Sequence, residues 1–230
     1  MCIRDSYWSK HKRTNFKWWR QRFKRQFELV DILRLDHFRA LAGYWRVDGN
    51  AKNAINGNWI NSPGKELLNT LKKDLRSDYL PIIAEDLGVI TKDVELLRDN
   101  YKLPGMKILQ FAFDGNDDNP YLPKNIIGEN WVVYTGTHDN STSNSWWNYL
   151  DNNEKNNLKD NYEFSSDPAW DLIEIGMKTK ANLFIAPIQD ILSLDDSSRL
   201  NTPGTITNNW RWKLNQTLDE IDMNLSLIHI

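Results

Sequence analysis

The stretch that decides the fold is PIIAED at residues 81–86, where a short apolar run passes directly into two acidic residues. A continuous apolar run of this length is typical of a parallel strand, which is buried on both faces. A second run, at residues 30–35, also ends in an acid, Asp36. Three further segments are predicted to be strands: residues 106–113, 131–135 and 183–188.

Helical patterns alternate with these apolar runs. Five segments are predicted to be helices: residues 16–30, the segments that begin at Ser62-Pro63 and at Thr91, residues 142–150 and residues 168–180. The evidence for them is apolar spacing at three and four residues, together with capping residues. Residues 43–64 are rich in Gly and Asn and lack periodicity, so they are predicted to form a long loop.

The repeating order of strand and helix favours an α/β fold with a parallel sheet. Five strands fit either an open, doubly wound sheet or part of an eight-stranded barrel. No glycine-rich phosphate loop follows any predicted strand, which argues against nucleotide binding. Long polar loops after the strands favour the barrel, whose active site lies on those loops.

The composition describes a globular chain and excludes two classes of partner. Of 230 residues, 40% are hydrophobic and 26% are charged. The formal net charge of -2 gives no general attraction to nucleic acid or to an anionic membrane. No apolar run approaches the roughly 20 residues that a membrane span needs. The 11 Trp residues suit either a core or platforms for sugar rings.

The two ends of the sequence look foreign to a natural protein. Residues 1–6 and 225–230 can be back-translated into DNA strings that are reverse complements over their shared length. We expect a transposon-type sequencing adapter to encode both, which leaves a natural segment of about residues 7–224. Cys2, the single cysteine, then supports neither a disulfide nor a nucleophile. Met1 likewise carries no information about targeting.

Three predicted strands end in or near carboxylates: Asp36, Glu85 and Asp139. Equivalent strand ends lie on one side of a parallel sheet or barrel, so these acids can converge on one cavity. Cleaving a glycosidic bond with retention of configuration needs one carboxylate as nucleophile and a second as general acid and base. A third can stabilise the positive charge of the transition state. The pattern therefore meets the requirements of retaining chemistry on a sugar.

Each acid also has an alternative interpretation. An aspartate at a strand end is often a helix cap, and Asp86 in particular could be structural. His138 and Asp139 could be metal ligands, although no further His or Cys has metal-site spacing. Arg34 lies two residues before Asp36 on the same strand face, where a cation would keep that acid ionised. No Gly-x-Ser-x-Gly motif supports a serine hydrolase.

Several motifs closely resemble the 4-α-glucanotransferase family, also called amylomaltase or disproportionating enzyme. They are RLDHFR (34–39), AEDLG (84–88), PGMK with QFAF (104–113), NPYLP (119–123), THDN (137–140), and NTPGT with NWRW (201–212). Their order and spacing are similar to the family's over essentially all of residues 7–224. Any one motif would be modest support, but together they are specific.

The resemblance implies a role for each acid. Asp36 would be the nucleophile that forms a covalent glucosyl-enzyme, and Glu85 would be the general acid and base. Asp139 would stabilise the transition state and bind sugar hydroxyls. The substrate-binding residues implied are Arg34, His37, His138 and Asn201.

The resemblance also implies a reaction and a missing region. A segment of an α-1,4-glucan, such as a maltooligosaccharide, would move to the 4-position of an acceptor, with no metal or organic cofactor. The chain would be the C-terminal part of a (β/α)8 TIM barrel, about strands 4 to 8 with their helices, from a cytoplasmic enzyme. Such a piece has open sheet edges, so we expect it to be inactive and poorly soluble alone. The alternatives are a retaining α-glucan hydrolase and a non-catalytic glucan-binding fragment.

Overall fold

A computed structural model of the 230-residue chain describes residues 7–221. The predicted adapter segments 1–6 and 225–230, with Met1 and Cys2, lie outside the described residues. The chain divides into two compact units, unit 1 through Met106 and unit 2 from Lys107 onward. Both contain helices and strands, so the predicted α/β class is confirmed.

Unit 1 contains a parallel strand pair, of which one strand is fully buried. Its elements are α1 (Trp8–Arg13), α2 (Lys17–Phe27), β1 (Leu33–Leu35), α3 (Arg39–Ala42), β2 (Gly43–Val47), β3 (Gly57–Asn61), α4 (Gly64–Leu75), β4 (Ile82–Ala84) and α5 (Lys92–Asn100). Strands β1 and β4 pair in parallel, with Leu35 opposite Ala84. All three residues of β4 are buried, as the apolar run predicts. Leu67, Leu68 and Leu71 of α4 belong to the same buried cluster.

The prediction of a long loop at residues 43–64 is wrong, because most of this segment is an antiparallel hairpin. Strands β2 and β3 pair with Trp45 opposite Trp59, and the two rings meet edge to face at 5.5 Å. Trp45 Nε1 also donates to the carbonyl of Ala54, 2.8 Å away. Gly43 is the one buried residue of the two strands, so cross-strand aromatic contact contributes more to the stability of the hairpin than burial does. Such a pair leaves no strong apolar alternation in the sequence.

The predicted start of α4 is displaced by one residue. Pro63 is the N-cap rather than the first helical residue, and no side chain caps the helix. A Cβ on Gly64 would lie 2.2 Å from the carbonyl oxygen of Leu41, so only glycine allows this close approach. The Ser62 hydroxyl is buried, with no hydrogen-bond partner among the described residues. Thr91 is the N-cap of α5 as predicted, although its side chain accepts no helix N–H.

Unit 2 carries a three-stranded sheet in the order β5-β6-β7. Its elements are β5 (Gly105–Ile108), which begins just before the unit boundary, β6 (Trp131–Tyr134), α6 (Ser143–Tyr149), α7 (Asn152–Tyr162), α8 (Pro168–Met177), β7 (Leu183–Ile185) and α9 (Ile188–Ile191). Strands β6 and β7 are parallel, with Val133 opposite Phe184. The strand predicted at residues 106–113 is shorter than expected, because a 3-10 helix, Leu109–Phe111, follows β5.

Helix α7 was not predicted, because residues 152–161 are rich in Asn and lack an apolar stripe. A capping box begins it. The Asp151 carboxylate accepts the backbone N–H groups of Asn153 and Glu154, and the Glu154 carboxylate accepts the N–H of Asp151. Leu158 is its one buried residue. The Tyr162 ring also packs against that of Phe113, 4.9 Å away. Capping and these two apolar contacts thus hold a helix that periodicity cannot reveal.

Candidate active site

Two of the predicted catalytic acids follow directly from paired strands. The register of β1 and β4 ends with Leu35 opposite Ala84, so Asp36 and Glu85 are the next residues on the two strands. Neighbouring strands lie about 4.8 Å apart. Retaining glycosidases need their two carboxyl groups roughly 5–5.5 Å apart. Adjacent parallel strand ends are therefore a suitable support for such a pair.

Backbone N–H groups hold both carboxylate oxygens of Glu85. The N–H of His37 donates to Oε2 at 2.7 Å, and the N–H of Leu87 donates to Oε1 at 3.0 Å. The N–H of Phe38 also donates to the main-chain carbonyl of Glu85, at 3.1 Å. His37 has a φ of 56°, in the left-handed region that a non-glycine residue seldom adopts. This turn directs the backbone after Asp36 towards Glu85.

The cation predicted beside Asp36 is present as an ion pair. Arg34 Nη2 lies 2.7 Å from Asp36 Oδ1, and Arg34 Nε donates to the sulfur of Met106 at 3.2 Å. Half of the Asp36 side chain is exposed, so the pair contributes little to stability. Its effect is to orient the carboxylate while leaving one face open to a ligand.

Asp86 has the structural role that the sequence left open. It is buried, it pairs with Arg98, and its Oδ1 accepts the backbone N–H of Met106 at 2.8 Å. Burial would lower the pKa of Arg98, but hydrogen bonds and charge from Asp86 and Asp99 raise it above its usual value. A permanently charged Arg98 therefore holds the Asp86 carboxylate inside the protein.

In unit 2 three predicted site residues come together. Asn201 Nδ2 donates to Asp139 Oδ1 at 2.5 Å, and the N–H of Asn201 donates to the carbonyl of His138 at 3.1 Å. His138 Nε2 lies 3.4 Å from the same Asp139 oxygen. The loop after β6 and the loop that begins near Asn201 thus form one polar cluster.

Arg199 also belongs to this cluster, although it was not predicted. Its Nη2 donates to the carbonyl of Asp139 at 2.6 Å, its Nε to the carbonyl of Asn201 at 2.9 Å, and its Nη1 to the hydroxyl of Ser141 at 3.1 Å. The rigid fork of a guanidinium can serve three acceptors at once. No quoted motif contains Arg199, so no sequence pattern indicated a role for it.

Trp210 is a second missed residue, although it lies inside a quoted motif. Its ring is 5.1 Å from that of His138, and 62% of the residue is exposed. Its backbone has a φ of 61°, and its N–H donates to the carbonyl of Leu200 at 2.6 Å. An exposed indole fixed beside polar groups suits contact with the face of a sugar ring.

The described residues offer no metal centre. Within residues 7–221, no group of three or more His, Cys, Asp or Glu is arranged to hold a metal ion. Across the same residues, no helix has the length and apolar character needed to cross a membrane.

The chain has the features of α/β proteins that carry carboxylates at the ends of parallel strands. The model of one protein family, 4-alpha-glucanotransferase, matches residues 6–219. The chain belongs to the 4-alpha-glucanotransferase family.

Two curated relatives illustrate the match and its extent. The chain is 45% identical to a 4-alpha-glucanotransferase of Synechocystis, over 96% of this chain and 44% of that protein. It is 44% identical to a chloroplastic/amyloplastic 4-alpha-glucanotransferase of Arabidopsis thaliana, over 90% of this chain and 36% of that protein. The chain thus spans less than half the length of both relatives.

A solved structure has the same fold. The amylomaltase from Streptococcus agalactiae in complex with acarbose aligns with a TM-score of 0.88 and 32% sequence identity. The alignment covers 97% of this chain and 45% of that one.

Proposed function

We propose that this chain carries the catalytic carboxylates of a 4-alpha-glucanotransferase that acts with retention of configuration. The observation that carries the proposal is the pairing of β1 with β4, which brings Asp36 and Glu85 to neighbouring strand ends. We also propose that these strands belong to a (β/α)8 barrel, of which the chain contributes about strands 4 to 8. The parallel pairs and the amylomaltase neighbour support this assignment.

Asp36 acts as the nucleophile in this proposal. Its carboxylate attacks the anomeric carbon of the donor glucan and forms a covalent glucosyl-enzyme. The guanidinium of Arg34, 2.7 Å away, orients the attacking oxygen. The exposed half of the side chain leaves room for the approaching sugar.

Glu85 acts first as general acid and then as general base. It protonates the leaving glycosidic oxygen and later removes the proton from the 4-hydroxyl of the acceptor. Two displacements at the same carbon restore the original configuration. The N–H groups of His37 and Leu87 support this role because they fix the carboxyl group in one orientation.

Asp139 stabilises the positive charge that develops on the donor sugar and binds its hydroxyls. Its hydrogen bond from Asn201 leaves the second carboxylate oxygen for the sugar. We assign the binding of the transferred glucose unit to four side chains: Arg34, His37, His138 and Asn201.

The proposed substrates are maltooligosaccharides and other α-1,4-glucans, and the proposed acceptors are glucans or glucose. The names of the relatives favour transfer over hydrolysis. Side chains supply the nucleophile, the acid and the base, so the scheme uses neither a metal nor an organic cofactor. Nucleic acid and membranes have no part in it, and we propose the cytoplasm as its location.

A hybrid enzyme tests the function. This chain would replace the region that it matches in the Synechocystis relative, and the product would be incubated with maltotriose. We expect a ladder of longer glucans, because the glucosyl-enzyme passes its sugar to another glucan. Glucose and maltose without longer products would contradict transfer and favour the hydrolase alternative.

Two variants make the assay specific. Asp36→Asn removes the nucleophile and should abolish the ladder, whereas Asp31→Asn changes an exposed acid five residues earlier and should leave it intact. A folded parent hybrid with no products, or an Asp36→Asn hybrid as active as its parent, would rule out the proposed role of Asp36. The first result would favour the non-catalytic alternative.

A further inference from the structure

The loop that carries His138 and Asp139 has both of its ends buried. It runs from residue 136 to 142, between the end of β6 and the start of α6. Thr135, directly before it, and Ser143, directly after it, are both 0% exposed. Whatever fixes these two residues sets the span that the loop must cover.

One carboxylate contacts both ends of this loop. Asp190, in α9, is 1% exposed. Its Oδ2 accepts the hydroxyls of Thr135 at 2.5 Å and of Ser143 at 2.7 Å, and its Oδ1 accepts the backbone N–H of Ser143 at 2.8 Å. A single rigid side chain thus ties the last residue before the loop to the first residue after it.

Burying a carboxylate without hydrogen-bond donors or a partner charge costs much free energy, so a buried carboxylate is expected to have a specific role. Among the described residues, Asp190 makes no ion pair, so its three neutral donors are what satisfy it. Burial raises the pKa of this carboxyl above its usual value. Leu or Val would fill such a site more cheaply if packing were all that mattered.

The loop is also packed from a second side. Gln110 Nε2 donates to the carbonyl of Ser141 at 3.0 Å. A Cβ on Gly136 would lie 2.9 Å from the same nitrogen. The start of the loop therefore has little space to move. If the hydrogen bonds to Asp190 were lost, the displacement of the loop ends would shift the loop as far as Asp139.

We propose that Asp190 is a positioning residue for Asp139, acting through the two ends of the loop rather than on the substrate. This inference rests on the proposed function, in which Asp139 stabilises the charge of the transition state. Asp190 makes the loop a preorganised element, so Asp139 meets the sugar without a prior rearrangement.

The test compares three variants of the hybrid enzyme. Asp190→Ala removes all three hydrogen bonds. Asp190→Asn keeps them, because its oxygen still accepts the N–H of Ser143 and both hydroxyls can turn to accept from its amide. Asp171→Ala is the matched control, since Asp171 accepts the N–H and the hydroxyl of Ser165 at 2.7 and 2.9 Å.

We expect Asp190→Ala to lower kcat by about 10-fold or more with little change in KM, because displaced catalytic groups lose transition-state binding selectively. Asp190→Asn should recover most of the loss, and Asp171→Ala should keep the parent kcat. Equal kcat per folded molecule in the two alanine variants would overturn the proposal. So would an Asp190→Asn hybrid as slow as Asp190→Ala.

Hydrogen exchange separates this inference from the proposed function. Backbone amides of residues 137–143 should exchange faster in Asp190→Ala than in the parent or in Asp171→Ala, whether or not the hybrid transfers glucose. Unchanged exchange in Asp190→Ala would overturn the positioning role. If Asp190→Ala exchanges faster but the parent hybrid is inactive, only the proposed function is overturned. If Asp190→Ala fails to fold, Thr135→Val removes the hydrogen bond between Thr135 and Asp190 instead. The kcat and the hydrogen exchange of that variant then test the positioning role.

Discussion

At the scale of single residues, Arg199 shows how one side chain can join two loops. Its three donors contact the carbonyls of Asp139 and Asn201 and the hydroxyl of Ser141. Charged donors make stronger hydrogen bonds than neutral ones, and the planar guanidinium fixes their directions. The position of Asp139 therefore depends on a residue 60 positions away in sequence.

We predict that the shape of Arg199 matters as well as its charge. Arg199→Lys keeps the charge but cannot span three acceptors, so it should lower kcat/KM of the hybrid by roughly 10-fold to 100-fold, nearly as much as Arg199→Ala. Steady-state kinetics with maltotriose measure this. Arg25→Lys is the control, because Arg25 makes an exposed ion pair with Glu28. An Arg199→Lys hybrid with the parent's kcat/KM would contradict the prediction.

The sequence could supply the acids of the candidate site but not the residues that hold them. Asp36 and Glu85 could be named because each directly follows an apolar strand. Arg199 and Asp190 could not, because the residues that they contact lie far away in the sequence. Nothing local distinguishes them from any other arginine or aspartate. The catalytic and binding roles of the named residues stay predictions.

At the scale of elements, Gly57 decides whether the β2–β3 hairpin can form. A Cβ there would lie 2.6 Å from the carbonyl oxygen of Arg46 and 2.7 Å from the Trp45 ring. The neighbouring strand and an aromatic ring occupy the space that any side chain would need. Gly49, in the turn of the same hairpin, has no atom within 4 Å of its hypothetical Cβ.

We predict that Gly57→Ala destabilises the hybrid by about 1–3 kcal/mol, because the new methyl group forces the strand or the ring to move. Gly49→Ala should change stability by less than about 0.5 kcal/mol. Denaturant unfolding, followed by tryptophan fluorescence, measures both. Equal midpoints for the two variants would show that the hairpin tolerates a side chain at position 57.

Buried elements were predictable from the sequence, and exposed ones were not. The apolar runs of β4 and β6 are buried strands, as the patterns indicate. The β2–β3 hairpin depends on a contact between Trp45 and Trp59, which only the register reveals. Helix α7 depends on its capping box rather than on an apolar stripe. A hydrophobic pattern reports burial, so it cannot detect elements that other interactions hold.

At the scale of the whole molecule, burial of Asp190 makes stability depend on pH. Its pKa is raised in the folded state above the ordinary value of 3.8, so the folded protein binds the proton more tightly than the unfolded chain. The contribution of Asp190 to the free energy of unfolding therefore falls as pH rises from that value through the folded pKa.

We predict that Asp190→Asn removes this fall. The free energy of unfolding of the parent, minus that of the variant, should decrease as pH rises from about 4 and become constant above the folded pKa. Denaturant unfolding of both hybrids over a pH series measures the difference, in which other acids cancel. A difference that stays constant or increases over this range would contradict the raised pKa.

The expectation that the chain alone is inactive and poorly soluble stays a prediction. Its physical basis is the exposed apolar surface near sheet edges in the described part of the chain. Leu183 and Ile185 of the edge strand β7 are 39% and 37% exposed. Strands in parallel sheets are normally covered on both faces.

The most direct test of the central claim is to trap the covalent intermediate on Asp36. In a Glu85→Gln hybrid given α-maltosyl fluoride, fluoride can leave without a general acid, but the acceptor has no general base. The bond from carbon to fluorine breaks, and a bond from the Asp36 carboxylate to the anomeric carbon forms. We predict that mass spectrometry of digested protein finds the maltosyl group on the peptide that contains Asp36, and finds none after an added Asp36→Asn change. A maltosyl group on Asp139 instead, or no labelled peptide from a hybrid that consumes the fluoride, would contradict the account.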